Sequence, residues 1–130
     1  MNFGQIQSGR TEKKRENHSA AVAIAAVRTS IFSFTVPPKA RCRILSWGNY
    51  LGTVAAWGVA YWEVLANGVV VEFYGGTPRV MDQVGYAAQR QAATEYEFSG
   101  GTFINFTGSN PTANILNMGI SVEYELIYQE

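Results

Sequence analysis

Asn67-Gly68 stands between two runs of β-forming residues, Val54–Leu65 and Val69–Tyr74. A two-residue hairpin turn of type I′ needs positive φ at both central positions, and Asn-Gly supplies them at the lowest steric cost. The dipeptide commits the middle of the chain to an antiparallel hairpin, and most of the surrounding sequence has a period of two. Phe32, Phe34 and Val36 share one face, with Ser33 and Thr35 on the other, until Pro37-Pro38 ends the run. Arg41 and Arg43 alternate with Cys42 and Ile44, which gives that strand a basic outer face. Val54–Leu65 is apolar on both faces and should be covered on both sides. Thr94, Tyr96 and Phe98 alternate with Glu95, Glu97 and Ser99, and Gly100-Gly101 turns the chain into Thr102, Ile104 and Phe106. The last strand alternates most cleanly: Ile120, Val122, Tyr124, Leu126 and Tyr128 face in, and Ser121, Glu123 and Glu125 face out.

Seven or eight strands with closely spaced turn signals describe an all-β chain, an antiparallel β-sandwich or jelly roll. At 130 residues there is room for one such domain. No internal repeat suggests a propeller or solenoid. Residues 79–93 lack alternation and read as a long loop with at most one short element. Residues 20–28 are ambiguous: Ser19 could cap an Ala-rich helix, yet Val22 and Ile24 also alternate, and the β character of residues 30–128 favours a strand. Residues 1–19 hold only Phe3 and Ile6 as large apolar groups. They read as an extended N-terminal arm, with the sandwich spanning 20–130.

The charge is zero overall but unevenly placed. Residues 1–43 carry eight basic groups against Glu12 and Glu16, whereas residues 44–130 carry Arg79 and Arg90 against eight acids. Such a split suggests an attachment arm or head-to-tail complementarity between copies; solvated charges clustered by chance are the bland alternative. Arg10, Lys13, Lys14 and Arg15 could meet phosphates, but two interleaved glutamates and no adjacent aromatic favour an acidic protein surface over nucleic acid.

Composition removes much catalytic chemistry. One cysteine (Cys42) and one histidine (His18) cannot build a zinc site or a disulfide, and His18 falls in the arm, where nothing would hold it for a triad. No phosphate-binding glycine loop precedes a helix. Glu95/Glu97 and Glu123/Glu125 have strand spacing for a carboxylate pair, but their outer-face positions keep them ionised. No catalytic residue, metal or cofactor is expected. No apolar run is long enough to span a bilayer, and the polar N-terminus lacks the apolar core of a signal peptide. The sequons at Asn17 and Asn105 read as accidental without such a signal.

Trp47, Tyr50, Trp57, Tyr61 and Trp62 crowd into one stretch. Trp57 and Trp62 suit a core or a subunit interface, whereas Trp47 or Tyr50, beside Gly48-Asn49, could form an aromatic platform for a glycan.

The polar arm, the FSFTVPPKARCRILSWGNY block (Phe32–Tyr50), the WEVLANGVVV hairpin (Trp62–Val71) and the closing ISVEYELIY strand (Ile120–Tyr128) together resemble the small jelly-roll proteins of bacteriophage heads, the decoration (cement) and vertex proteins. The resemblance lies in architecture and texture. It implies a non-enzymatic virion protein at the capsid surface, assembled in the host cytoplasm. Such a protein forms a trimer or other ring and binds the major capsid protein or another virion protein. Phe3, Ile6, Arg10, Lys13, Lys14 and Arg15 would supply the grip, and Trp47, Tyr50, Trp57 and Trp62 an oligomer interface. The alternative is a carbohydrate- or receptor-binding module of a head fibre or tail.

Overall fold

The structure, a computed structural model, describes residues 9–51, 60–75, 85–91 and 97–129. Through them run β1 (Thr11–Val22), β2 (Thr29–Thr35), β3 (Ala40–Leu51), β4 (Tyr61–Ala66), β5 (Val69–Gly75), β6 (Gly85–Gln91), β7 (Glu97–Phe98), β8 (Phe103–Ser109) and β9 (Leu116–Tyr128). They form two antiparallel sheets, β1-β9-β3-β6 with β7 also on β3, and β2-β8-β4-β5. The first strand pairs with the last and the second with the second-last, so the chain is one long hairpin rolled into a sandwich, the jelly-roll topology. The all-β sandwich expected from the period of two is therefore what the chain forms.

The two sheets bury Trp62, Phe106, Leu51, Ile104, Leu116, Met118, Val22, Val36 and Val122 between them. Phe34 stacks on Tyr124 across the layers with ring centroids 4.5 Å apart, and Trp47 packs against Phe106 at 6.2 Å. Phase along β3 is preserved by a bulge. Glu123 pairs with Ser46 and Tyr124 with Ile44, which inserts Leu45 as an extra residue. Cys42 and Ile44 before the bulge and Trp47 and Leu51 after it thereby all reach the core.

Two segments differ from the sequence expectation, and part of a third lies outside the described residues. Thr11–Ser19, expected in the arm, belong to β1, which pairs with β9 without a break from Thr11↔Ile127 to Val22↔Leu116. A polar strand needs no apolar content of its own when a neighbour supplies a hydrogen-bonding ladder and complementary side chains. Residues 20–28 form neither a helix nor a continuous strand. β1 ends at Val22, and the following loop holds Ala25 and Arg28 at φ of 62° and 56°. β4 starts at Tyr61, so the first half of the expected strand Val54–Leu65 lies outside the described residues, as do Phe3, Ile6 and Trp57.

The Asn67-Gly68 turn has φ of 51° and 84°, as a type I′ hairpin requires, with Ala66 paired to Val69. Asn67 is also tied to β8: its N–H donates to the Phe103 carbonyl at 2.8 Å, and its Oδ1 accepts from the Phe103 N–H at 2.8 Å. At the opposite pole the fully buried Asn110 joins three segments. Its Nδ2 donates to the carbonyls of Val22 (3.0 Å), Ala23 (3.2 Å) and Asn114 (2.7 Å), and its Oδ1 accepts from the N–H and Oγ1 of Thr112.

Replacing Gly68 by Val puts a β-branched residue at positive φ, and urea unfolding should show a loss of more than ~1 kcal/mol. Asn110→Ala leaves buried carbonyls unpaired and should cost about 2 kcal/mol or more in the same assay. An unchanged midpoint would remove the turn or the hub from the account of stability.

Candidate functional site

Antiparallel partners point to the same side of a sheet, so register alone maps the outer face of the five-stranded sheet. One row reads Lys13, Glu125, Arg43, Glu97 across β1, β9, β3 and β7, with alternating sign. Arg15 and Glu123 pair in a second row. Ion pairs run along these rows, except at Lys13, which makes none among the described residues. Arg15 meets Glu123 at 3.0 Å, Arg43 meets Glu97 at 2.8 Å and Glu125 at 3.3 Å, and Arg41 meets Glu97 at 3.0 Å. The excess of bases near the N-terminus and of acids near the C-terminus is thus answered within one molecule, because β1 and β3 flank β9. Of the glutamates expected on a solvated outer face, Glu97, Glu123 and Glu125 are on that face, but as partners of arginine, and Glu95 lies outside the described residues.

Glu97 sits between two arginines. The hydrogen bond from Arg43 holds its carboxyl below the ordinary carboxylate range; desolvation opposes it, and the charges of Arg41 and Arg43 add to the lowering. The Arg43 guanidinium is correspondingly raised, chiefly by that hydrogen bond.

Beyond the ionic rows the same face turns neutral. Asn17 pairs with Ser121 and Ser121 with Gly48; in the next row Ser19 pairs with Gly119 and Gly119 with Tyr50. A groove of about 320 Å³ lies here, lined by Asn17, His18, Ser19, Tyr50, Gly119, Ile120 and Ser121. Among the described residues, no side-chain hydrogen bond engages Asn17, Ser19, Tyr50 or Ser121.

The residues singled out from the sequence are dispersed by the fold. Trp47 and Trp62 are core residues, Tyr50 lines an open surface, and Trp57 lies outside the described residues. The basic cluster does not act as a unit. Arg10 stacks over the Tyr128 ring at 4.2 Å and meets Glu12 at 3.2 Å, Lys14 lies 3.8 Å from Glu12, and Arg15 is held by Glu123. His18 lies ring-on-ring against Phe32 at 4.4 Å, with Nε2 2.9 Å from Glu16 Oε1.

Two features were not legible in the sequence. Arg28 forms a two-pronged ion pair with the nearly buried Glu63, at 2.8 and 3.3 Å, across 35 positions. Asn49 sits in the core, and neither atom of its amide has a hydrogen-bond partner among the described residues. No local pattern marks either residue. Among the described residues no cluster of three His, Cys, Asp or Glu side chains could hold a metal ion.

No protein-family model matches the chain, and no curated protein sequence matches it. Solved structures do. A Bacillus endospore appendage, described as belonging to a family of disulfide-linked pili, aligns over 99% of this chain and 100% of its own length, with 11% identity and a TM-score of 0.52. That likeness establishes a shared fold. The infectious bursal disease virus Gt strain (10% identity, 93% of this chain, TM-score 0.43) and that virus's VP2 subviral particle (12%, 94%, 0.42) also align. The chain spans 33% of the length of each of those two viral chains, and at these TM-scores neither carries weight.

Glu97 ties stability to pH with a definite sign. A carboxyl whose folded pKa is depressed contributes stability above its unfolded pKa, and that contribution disappears as pH falls through the lower, folded value. Urea midpoints measured from neutral pH into the acid range should therefore fall, and Glu97→Gln should flatten part of that fall. Parallel profiles for the two proteins would show that the ion pairs do not contribute.

Proposed function

We propose that the chain is a non-enzymatic structural subunit that assembles with copies of itself. The observation that carries this reading is the placement of exposed apolar groups at the two poles of the sandwich. At one pole, where the loop after β1 meets the loop after β8, Ile24, Val27 and Ile115 are 54–68% exposed. At the other, around the Asn67-Gly68 turn, Val69 is 65% exposed, and Phe103 and Val70 are also open. The seven residues of β8 separate the poles by roughly 20 Å. Different patches at opposite ends make a heterologous joint, which closes into a ring if the rotation allows and otherwise runs on as a filament.

The fold shared over the full length of both chains with a pilus subunit supports this reading. Its mode of linkage would differ. That neighbour is described as a disulfide-linked pilus, whereas the one cysteine among these 130 residues, Cys42, is fully buried. Burial pushes the Cys42 thiol up to about 12 and leaves it protonated and unreactive. Contacts between copies would be non-covalent.

The more specific form of the proposal is a virion protein, a decoration or vertex subunit seated as a trimer or ring on a bacteriophage head and bound to its major capsid protein. It rests on the resemblance of the strand blocks and on the jelly roll itself. Arg10, Lys14 and Arg15 are already engaged within the subunit, so in this form apolar contacts would carry attachment more than Arg10 or Arg15. Co-sedimentation of purified protein with bare heads in stoichiometric amount, against filaments or rings of the protein alone in the electron microscope, separates the virion form from a pilus-like one.

Assembly itself is tested with two variants, Val27→Glu/Ile115→Glu at one pole and Val69→Glu/Phe103→Glu at the other. Sedimentation velocity should show each alone as a monomer and the mixture as a dimer, because each component retains one intact half of the joint. A wild-type protein that stays at 14.3 kDa at micromolar concentration and above would overturn the proposal. So would single-pole variants that assemble like wild type.

A further inference from the structure

We propose that the neutral half of the outer face of the five-stranded sheet is a binding site for an uncharged glycan, with Tyr50 as its stacking wall. The first support is the segregation of chemistry on one face. Along β1 the outward positions run Lys13, Arg15, Asn17, Ser19, and along β9 they run Glu125, Glu123, Ser121, Gly119. Charge stops at the Arg15–Glu123 pair on both strands together, and amides, hydroxyls and glycine take over from there. An ordinary solvated face has no reason to change character at the same row on two strands.

The second support is the shape. Gly119 does not occupy the left-handed region, so its backbone conformation is open to any residue. What a side chain would meet is crowding: a Cβ there would lie 3.1 Å from the His18 carbonyl, 3.3 Å from Tyr50 Cδ2 and 3.4 Å from Ser19 Cβ, so those neighbours would have to give way by a few tenths of an ångström. Gly119 thus lets the Tyr50 ring lie close over the sheet and keeps the floor of the groove low. With Gly119 and Ser121 as its floor, the groove is a trough between Tyr50 on one side and Asn17 and Ser19 on the other.

The third support is what the groove offers. The volume of about 320 Å³ falls at the lower end of the range for small-ligand sites, enough for one or two pyranose rings. The Tyr50 ring presents an apolar surface to the C–H face of a sugar and a hydroxyl at its tip. Asn17 brings two donors and an acceptor, and Ser19 and Ser121 each bring a hydroxyl able to donate and accept, which suits ligand hydroxyls of any orientation. These side chains are uncommitted among the described residues, whereas the ionic half is occupied with itself. Among the described residues no acidic or basic side chain lines the groove: His18 borders it, but its ring turns inward and stacks on Phe32. Phosphates, acidic peptides and uronic acids would find no counter-charge among these residues.

The site lies on the sheet face rather than on the exposed ends, and titration reads glycan binding separately from the sedimentation that reads self-assembly, so the two can succeed or fail independently. The test is a titration of the full chain, followed by amide NMR shifts and calorimetry. The probes are maltotriose, cellotriose, mannotriose and triacetylchitotriose at up to about 10 mM, with trigalacturonate as the charged control. At least one neutral trisaccharide should bind and shift Asn17, Ser19, Tyr50, Gly119 and Ser121. Tyr50→Phe should keep affinity within about threefold, whereas Tyr50→Ala should lose about tenfold or more. Should Tyr50→Ala fail to fold, Ser121→Leu fills the trough from an outward position and should abolish binding with the melting temperature preserved. Silence from all four neutral probes, shifts that map elsewhere, equal binding of trigalacturonate, or a folded Tyr50→Ala or Ser121→Leu variant that binds like wild type would each overturn the proposal.

Discussion

The two-sided pairing of β9 is the constraint on which the rest of this structure depends. Over 13 residues β9 hydrogen-bonds to β1 on one edge and β3 on the other, so strands from the beginning, first third and end of the chain lie side by side. Its inward residues, Leu116, Met118, Ile120, Val122, Tyr124 and Leu126, supply a large share of the buried core. Its outward Glu123 and Glu125 meet Arg15 and Arg43 from either side. Ion pairs on an open sheet face individually add little to stability, because water and salt screen them. Their larger effect is on register, since a one-residue slip would send the apolar residues to solvent and set like charges opposite one another.

Edge strands of an open sandwich invite pairing with other chains. β1 is protected by its own pattern. The residues it pairs with inward-facing β9 positions include Glu12, Lys14, Glu16 and His18, opposite Leu126, Tyr124, Val122 and Ile120. Charges that point toward the interior at the rim of a sandwich discourage a second strand from docking there, because their water would have to be stripped. His18 meets this requirement by stacking on Phe32 and contacting Glu16, which covers the ring while leaving its nitrogen near a carboxylate. Among the described residues, the surfaces left for partners include the two poles and the neutral half of the outer face. Because the poles are closed by Asn67 at one end and Asn110 at the other, the apolar groups there are presented on tethered turns.

Strand content, the hairpin at Asn67-Gly68, the inward set of β9 and the basic outer face of β3 were all legible in the sequence, because each depends on a period of two or on a turn residue with a local conformational preference. The fate of Thr11–Ser19 was not. Its composition is that of a solvated arm, and only the presence of β9 with matching carboxylates makes it a strand. The same applies to Trp47 and Tyr50, three positions apart in one strand, one in the core and the other on the groove. A period of two puts odd and even positions on opposite faces but does not say which face is covered.

By itself the sequence determined an all-β chain with its turns and the alternation of its strands, because φ preferences and side-chain periodicity act over a few residues. Tertiary structure decided which strands became neighbours and therefore how the charges were used. An excess of bases in the first third and of acids in the remainder is ambiguous in one dimension, equally fit for a partner, a second copy or the chain itself. Once β1, β9 and β3 share a sheet at a strand spacing of about 4.8 Å, opposite charges meet within the molecule at hydrogen-bond distance and no longer need a partner. The open surface is then defined by what those pairs leave over: two apolar ends and a neutral groove beside Tyr50.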